Sequence, residues 1–103
     1  MRAPLMLELH VCTHKGKMLK AFAIGDRSEL ILGRDETCDI QIRSPQVSSE
    51  HCAIEPQGDE LFLKDLGSRA GVVVQGRRVD CIRVEHGLEA RVGPALLRFV
   101  ENT

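Results

Sequence analysis

Hydrophobic and polar positions alternate in short stretches along this chain, and turn residues break them every eight to twelve positions or so. From Leu5 to Val11 the apolar residues Leu5, Leu7, Leu9 and Val11 are separated by polar ones such as Glu8 and His10. That period of two predicts a strand with one buried face. Met18–Ile24 repeats the pattern, with Met18, Phe22 and Ile24 expected on the inner face and turns at His14–Lys17 and Gly25–Asp26 on either side. Further strands are expected at Leu30–Leu32, Asp39–Ile42, His51–Glu55, Glu60–Lys64, Val72–Val74, Val79–Val84, Leu88–Val92 and Ala95–Val100. Pro56-Gln57-Gly58-Asp59 reads as a hairpin connection, and Gln75-Gly76 as a turn. No stretch has the 3.6-residue period of an amphipathic helix. The expectation is an all-β fold: a two-sheet antiparallel β-sandwich of ten or eleven short strands filling residues 1–103 as one domain.

Three polar segments interrupt this pattern: Gly33-Arg34-Asp35-Glu36-Thr37-Cys38, Val47-Ser48-Ser49-Glu50-His51 and Asp65-Leu66-Gly67-Ser68-Arg69-Ala70-Gly71. Their residue types suit one task. A phosphate dianion is held by cationic fork donors and by hydroxyl or amide donors on a rigid frame. Arg34 offers a fork, Ser48 a hydroxyl, the backbone around Ser49 further N–H groups, and Arg69 a second cation. Gly33, Gly67 and Gly71 permit tight turns or close backbone approach.

Composition narrows the choice of partner. Lys and Arg number 14 against 15 Asp and Glu, giving a net charge of −1. That is not the basic excess of a nucleic-acid binder. Arg77, Arg78, Arg83, Arg91 and Arg98 read as solvent-facing strand positions, and three Phe with no Tyr or Trp leave no stacking platform for single strands. No apolar run approaches a membrane span, and Met1–Leu9 lacks a signal-peptide pattern, so a cytoplasmic setting is expected. Cys12, Cys38, Cys52 and Cys81 form no Cys-x-x-Cys pair, and His10, His14, His51 and His86 are dispersed. Four reduced thiols and no metal or cofactor are expected.

The order and spacing of the three segments resemble the forkhead-associated (FHA) family. Its pattern is Gly-Arg, then about a dozen residues, Ser-x-x-His, and later an Asp-Leu-x-Ser-x-Asn-Gly run followed by a short strand and Asn-Gly. Here these stand as Gly33-Arg34, Ser48-Ser49-Glu50-His51, Asp65-Leu66-Gly67-Ser68-Arg69-Ala70-Gly71 and Val74-Gln75-Gly76. The resemblance implies an eleven-stranded sandwich that binds phosphothreonine peptides. By position it implies that Arg34 holds the phosphate, Ser48 donates its hydroxyl to it, and Ser49 lies toward it. Arg69 would stand beside the pocket, within reach of the phosphate or of flanking acidic residues. His51 would tie the binding loops together, with Gly33 and Gly71 supporting their shape. Ala70 and Gln75 depart from the family, which usually places Asn at the first position and often at the second. Ala70 cannot make the hydrogen bond to peptide backbone that the family's Asn makes, a loss of about 1–3 kcal/mol, or roughly ten- to a hundredfold in affinity.

Two other readings stand beside this one. A phosphate-independent assembly module is favoured by Ala70 and by the acidic neighbours Asp35, Glu36 and Glu50. It is opposed by the retention of Arg34 and Ser48 in register. Catalysis by a Ser48, His51 and Asp65 triad lacks a Gly-x-Ser-x-Gly elbow or any sign of an oxyanion hole, so a binding protein rather than an enzyme is expected.

Overall fold

The computed structural model describes residues 7–25 and 28–101. They form eleven strands: β1 Leu7–Cys12, β2 Met18–Ala23, β3 Leu30–Gly33, β4 Ile40–Gln41, β5 Cys52–Gln57, β6 Glu60–Asp65, β7 Val72–Val74, β8 Arg77–Val79, β9 Cys81–Arg83, β10 Glu89–Val92 and β11 Ala95–Glu101. One sheet has the order β2-β1-β11-β10-β7-β8 and the other β4-β3-β5-β6-β9. The alternation seen in the sequence places Leu7, Leu9, Val11, Leu97 and Phe99 on the inner face of the first sheet. Leu30, Leu32, Ile54, Leu61 and Leu63 from the second sheet meet them, so the core lies between the layers.

The expected sandwich is present, with three local differences. First, β4 runs parallel to β3, pairing Leu32 with Ile40 and Gly33 with Gln41, whereas the other pairings are antiparallel. The chain therefore arches out through residues 34–39 and returns in the same direction, which projects Arg34 from the end of the sandwich.

Second, the run Val79–Val84, expected as one strand, divides at Asp80. Arg77–Val79 pairs with β7 in one sheet, and Cys81–Arg83 pairs with β6 in the other. Val79 and Ile82 both pack on the core although they are an odd number of positions apart, so the alternation changes phase where the chain changes sheets.

Third, β2 is not half-buried over its length. The register shifts at the Val11/Cys12 step, so Lys20 lies opposite Val11 but Met18 opposite Cys12. The extra residue turns Met18 away from the inner face. Met18 is 53% and Leu19 61% exposed on this edge strand, while Ile24 remains buried. Leu5 and the turn at Asp26 lie outside the described residues.

The β7–β8 hairpin turns through Gln75 and Gly76, at φ 51° and 79°. Two successive positive φ angles define a type I′ turn, which favours Asn-Gly because Asn tolerates the left-handed region better than Gln. Gln75→Asn is therefore expected to stabilise the fold by about 0.5–1 kcal/mol, raising Tm by several degrees for a domain of this size. A thermal melt of the variant beside the parent chain checks this.

All four cysteines are free. Burial, and secondarily the nearby Asp65 carboxylate, pushes the Cys52 thiol up to about 12. Burial, then Asp35 and Glu50, raises the Cys38 thiol. Both shifts disfavour the thiolate, which is the nucleophilic form.

Candidate functional site

The three polar segments become the β3–β4, β4–β5 and β6–β7 loops, and the fold brings them together at one end of the sandwich. The first two are joined through backbone: Arg34 N–H donates to the Ser48 carbonyl at 2.9 Å and Asp35 N–H to that of Ser49 at 3.1 Å. Their approach is close enough that a Cβ built on Gly33 would collide with the Ser49 carbonyl oxygen. Only glycine at position 33 permits it. Gln41 Nε2 donates to the Arg34 carbonyl at 3.0 Å, and the Cys38 thiol to the Ser49 carbonyl at 3.1 Å, which fixes the arch further.

The second and third loops are joined by His51, which is fully buried. Its Nδ1 accepts from Ser48 N–H at 3.1 Å, and its Nε2 lies 2.8 Å from the Gly71 carbonyl oxygen. A backbone N–H can only donate and a carbonyl can only accept, so these partners fix the neutral ring with its proton on Nε2. The backbone of His51 also joins the sheet: its N–H donates to Leu32 O and its carbonyl accepts from Leu66 N–H.

Within the third loop the Ser68 hydroxyl donates to Asp65 Oδ1 at 2.6 Å and accepts from Gly71 N–H at 2.9 Å. This pair closes the loop from inside. Asp65 therefore serves Ser68, and both ring nitrogens of His51 serve backbone groups, so Ser48, His51 and Asp65 are not arranged as a proton relay. Gly71 sits at φ 78°, against the Arg78 side chain, which reaches the Ser68 carbonyl.

This frame leaves a set of outward donors. Ser48 Oγ accepts from Arg69 N–H at 3.1 Å, so its own hydrogen is free to donate to an anion. Ser48 is half-buried, and Ser49, Arg34 and Arg69 are exposed. Arg34 Nη2 lies 3.5 Å from Ser49 Oγ. Among the described residues neither Arg34 nor Arg69 forms an ion pair, whereas Arg83 is paired with Glu60 and Glu85, and Arg98 with Glu89. The Asp35 carboxylate accepts from Thr37 N–H at 3.0 Å and is thus engaged inside its own loop. Two hydroxyls and a guanidinium fork without a carboxylate partner can together hold a tetrahedral dianion.

Every residue singled out from the sequence lies in this cluster: Arg34, Ser48, Ser49, Arg69 and Ala70 on its surface, and Gly33, His51 and Gly71 in its frame. Sequence reasoning missed the framing roles of Gln41, Cys38, Ser68 and Arg78. The Asp65-x-x-Ser68 spacing is a local signal of a side-chain-closed loop; the other three act across the fold and leave none.

Comparison with known proteins agrees with this geometry. The FHA domain family model matches residues 30–93. Proliferation marker protein Ki-67 of Homo sapiens is 38% identical over 61 residues, an alignment that covers 58% of this chain and 2% of Ki-67. This chain thus corresponds to a small part of that relative. The FHA domain of CT664 protein from Chlamydia trachomatis superimposes with a TM-score of 0.83 at 23% identity, over 95% of this chain and 99% of that one. Mycobacterium tuberculosis EmbR, solved in complex with a low-affinity phosphopeptide, gives a TM-score of 0.79 at 25% identity, over 92% of this chain and 24% of EmbR. With the sandwich, the three joined loops and a family match across most of its length, this chain belongs to the FHA domain family.

Proposed function

We propose that this chain is a phosphothreonine-peptide-binding interaction module in signalling and not an enzyme. FHA domains are interaction modules, and the family is known for binding phosphothreonine peptides. The observation that carries the reading here is the setting of Ser48: its oxygen accepts the Arg69 N–H, which leaves its hydrogen free to donate, close to the guanidinium of Arg34, which among the described residues forms no ion pair. In this reading Arg34 and Ser48 hold the phosphate, Ser49 adds a hydroxyl, and Arg69 and Ala70 border the peptide. His51, Gly33 and Gly71 keep the loops in place.

The test is fluorescence anisotropy with a labelled degenerate phosphothreonine peptide library, against phosphoserine and unphosphorylated libraries. Binding that requires phosphothreonine supports the reading. Equal binding of all three libraries, or none, removes it. In that event the exposed Met18 and Leu19 of edge strand β2 favour the alternative, an assembly module that contacts its partners through another surface.

Ala70 offers no side-chain hydrogen bond to a peptide backbone. Ala70→Asn is expected to tighten phosphothreonine-peptide binding by about tenfold, corresponding to one hydrogen bond of roughly 1–1.5 kcal/mol. Titrating parent and variant with the same peptide checks this.

A further inference from the structure

The two sides of the sandwich close differently. On one side the chain itself crosses between the sheets at Asp80, from β8 to β9. On the other side the sheets end on β2 and β4, which belong to different sheets and do not pair with each other. β4 is short, Ile40–Gln41, and leaves the longer β2 overhanging it. In this gap lies an open cavity of about 560 Å³. Val11 and Leu19 line it from one sheet, Ile42 from the end of β4 and Pro94 from the β10–β11 turn, and the exposed Lys20 and Arg43 add positive charge. No Asp or Glu lines it. The irregular register helps to build it: Leu19 has no partner on β1, and both Leu19 and Lys20 face the cavity.

The backbone of β2 is also available. Ile24 N–H donates to Leu7 O at 3.0 Å, toward β1. Backbone groups alternate sides along a strand, so those of Ala23 and Ala21 point away from β1 to the open edge. Lys15 and Lys17 precede the strand, and among the described residues neither they nor Lys20 and Arg43 form an ion pair. Lysines and a bulge on an edge strand oppose its pairing with a second copy, because like charges would meet. The same charges attract an acidic strand. Protection from pairing does not account for the exposed Met18 and Leu19 beside an apolar cavity.

We propose that β2 and this cavity form a docking site, independent of phosphate, for an extended acidic segment of a partner protein. The segment adds a strand to the free edge of β2. One aliphatic or aromatic side chain of it enters the cavity against Leu19 and Ile42, and its Asp or Glu residues meet Lys20 and Arg43. Main-chain bonds to a sheet edge supply affinity in such a mode, and alternate side chains supply selectivity. A guanidinium or ammonium without an internal partner gives up no ion pair on binding. The site uses neither Arg34 nor Ser48 and operates whether or not these hold a phosphate.

The test titrates the chain with labelled, short, unphosphorylated peptides in which a central Leu stands among alternating Glu and Thr. Control peptides carry Lys for Glu, Ser for the Leu, or N-methyl groups on alternate amides. The parent chain is expected to bind the acidic peptide at least about tenfold more tightly than the Lys or Ser peptide. N-methylation of one alternate set of amides is expected to abolish binding, and of the other set to change it less than about twofold, as in a strand paired on one side. Leu19→Asp and Arg43→Glu, both at exposed positions, are expected to weaken binding about tenfold with Tm nearly unchanged. Amide chemical shifts are expected to move in residues 19–23 and 41–44, and not in 34–37 and 48–49. Equal binding of the Glu and Lys peptides, or of neither, overturns the proposal. So does loss of binding in Arg34→Ala, which would put the acidic peptide in the phosphate cradle. Binding of phosphatidylserine vesicles but not of the peptide, removed by Leu19→Asp, assigns the surface to a membrane. A dimer in sedimentation that Leu19→Asp dissolves assigns it to a second copy. Either result also overturns the proposal.

Discussion

Arg34→Ala is expected to weaken phosphothreonine-peptide binding at least a hundredfold while leaving thermal stability nearly unchanged. Charge-assisted hydrogen bonds contribute about 1.5–3 kcal/mol each. A guanidinium that gives two of them to a phosphate supplies roughly 3–5 kcal/mol, or more than two orders of magnitude in affinity. The fold does not depend on this side chain. Arg34 is exposed, and among the described residues its guanidinium makes one long hydrogen bond, 3.5 Å to Ser49 Oγ. The bonds that hold the loop at this position run through backbone, from Arg34 N–H to Ser48 O and from Gln41 Nε2 to Arg34 O. Alanine keeps both. The change in stability should therefore stay within about 0.5 kcal/mol. Arg34→Lys retains the charge but not the fork and should fall between the two. A melt and a peptide titration on the same three preparations check all of this. A large loss of Tm in Arg34→Ala would make the arginine a structural residue.

His51→Ala is expected to have the opposite signature, a large loss of stability with binding reduced as a consequence. The imidazole is fully buried and satisfies Ser48 N–H on one side and Gly71 O on the other. Truncation leaves both backbone groups without that partner, at about 1–3 kcal/mol each, and opens a void where the ring packs. A loss of about 3 kcal/mol or more corresponds to a drop in Tm of roughly 10–20 °C for a domain of this length. Two further variants separate the halves of the bridge. The Asn side chain presents an oxygen near the position of Nδ1, so His51→Asn should recover part of the Ser48 bond. The Gln side chain presents an N–H near Nε2, so His51→Gln should recover part of the Gly71 bond. Each is expected to melt above His51→Ala and below the parent, and equal melting of all four chains would show that the bridge contributes nothing to stability.

The residues of the candidate site were legible because they cluster in three polar interruptions of a regular apolar pattern, and because Gly33-Arg34, Ser48-x-x-His51 and Asp65-Leu66-x-Ser68 keep a family spacing. What those residues do for one another was less legible. Sequence pointed to Ser48 as a donor, but it is the fold that brings the Arg69 N–H across the loop gap onto its oxygen and leaves its hydrogen free to donate. Arg78 and Arg91 read as scattered surface cations because they are thirteen positions apart in the chain. Strand pairing through β7 brings them to either side of Val73.

By itself the sequence determined the fold class, most of the strands and the identity of the three loops. Alternation with period two and turn residues are local properties, and the spacing of family residues is read directly along the chain. Only the tertiary structure decided the rest. The phase change at Asp80 sends adjoining strands to different sheets, and the irregular register at Cys12 leaves Met18 and Leu19 in solvent. The parallel return of β4 projects Arg34, and His51 bridges backbone groups of two loops. Each of these depends on which strand lies beside which and at what offset. That choice is made by packing two apolar faces and pairing buried polar groups between residues far apart in the chain, and no local pattern encodes it.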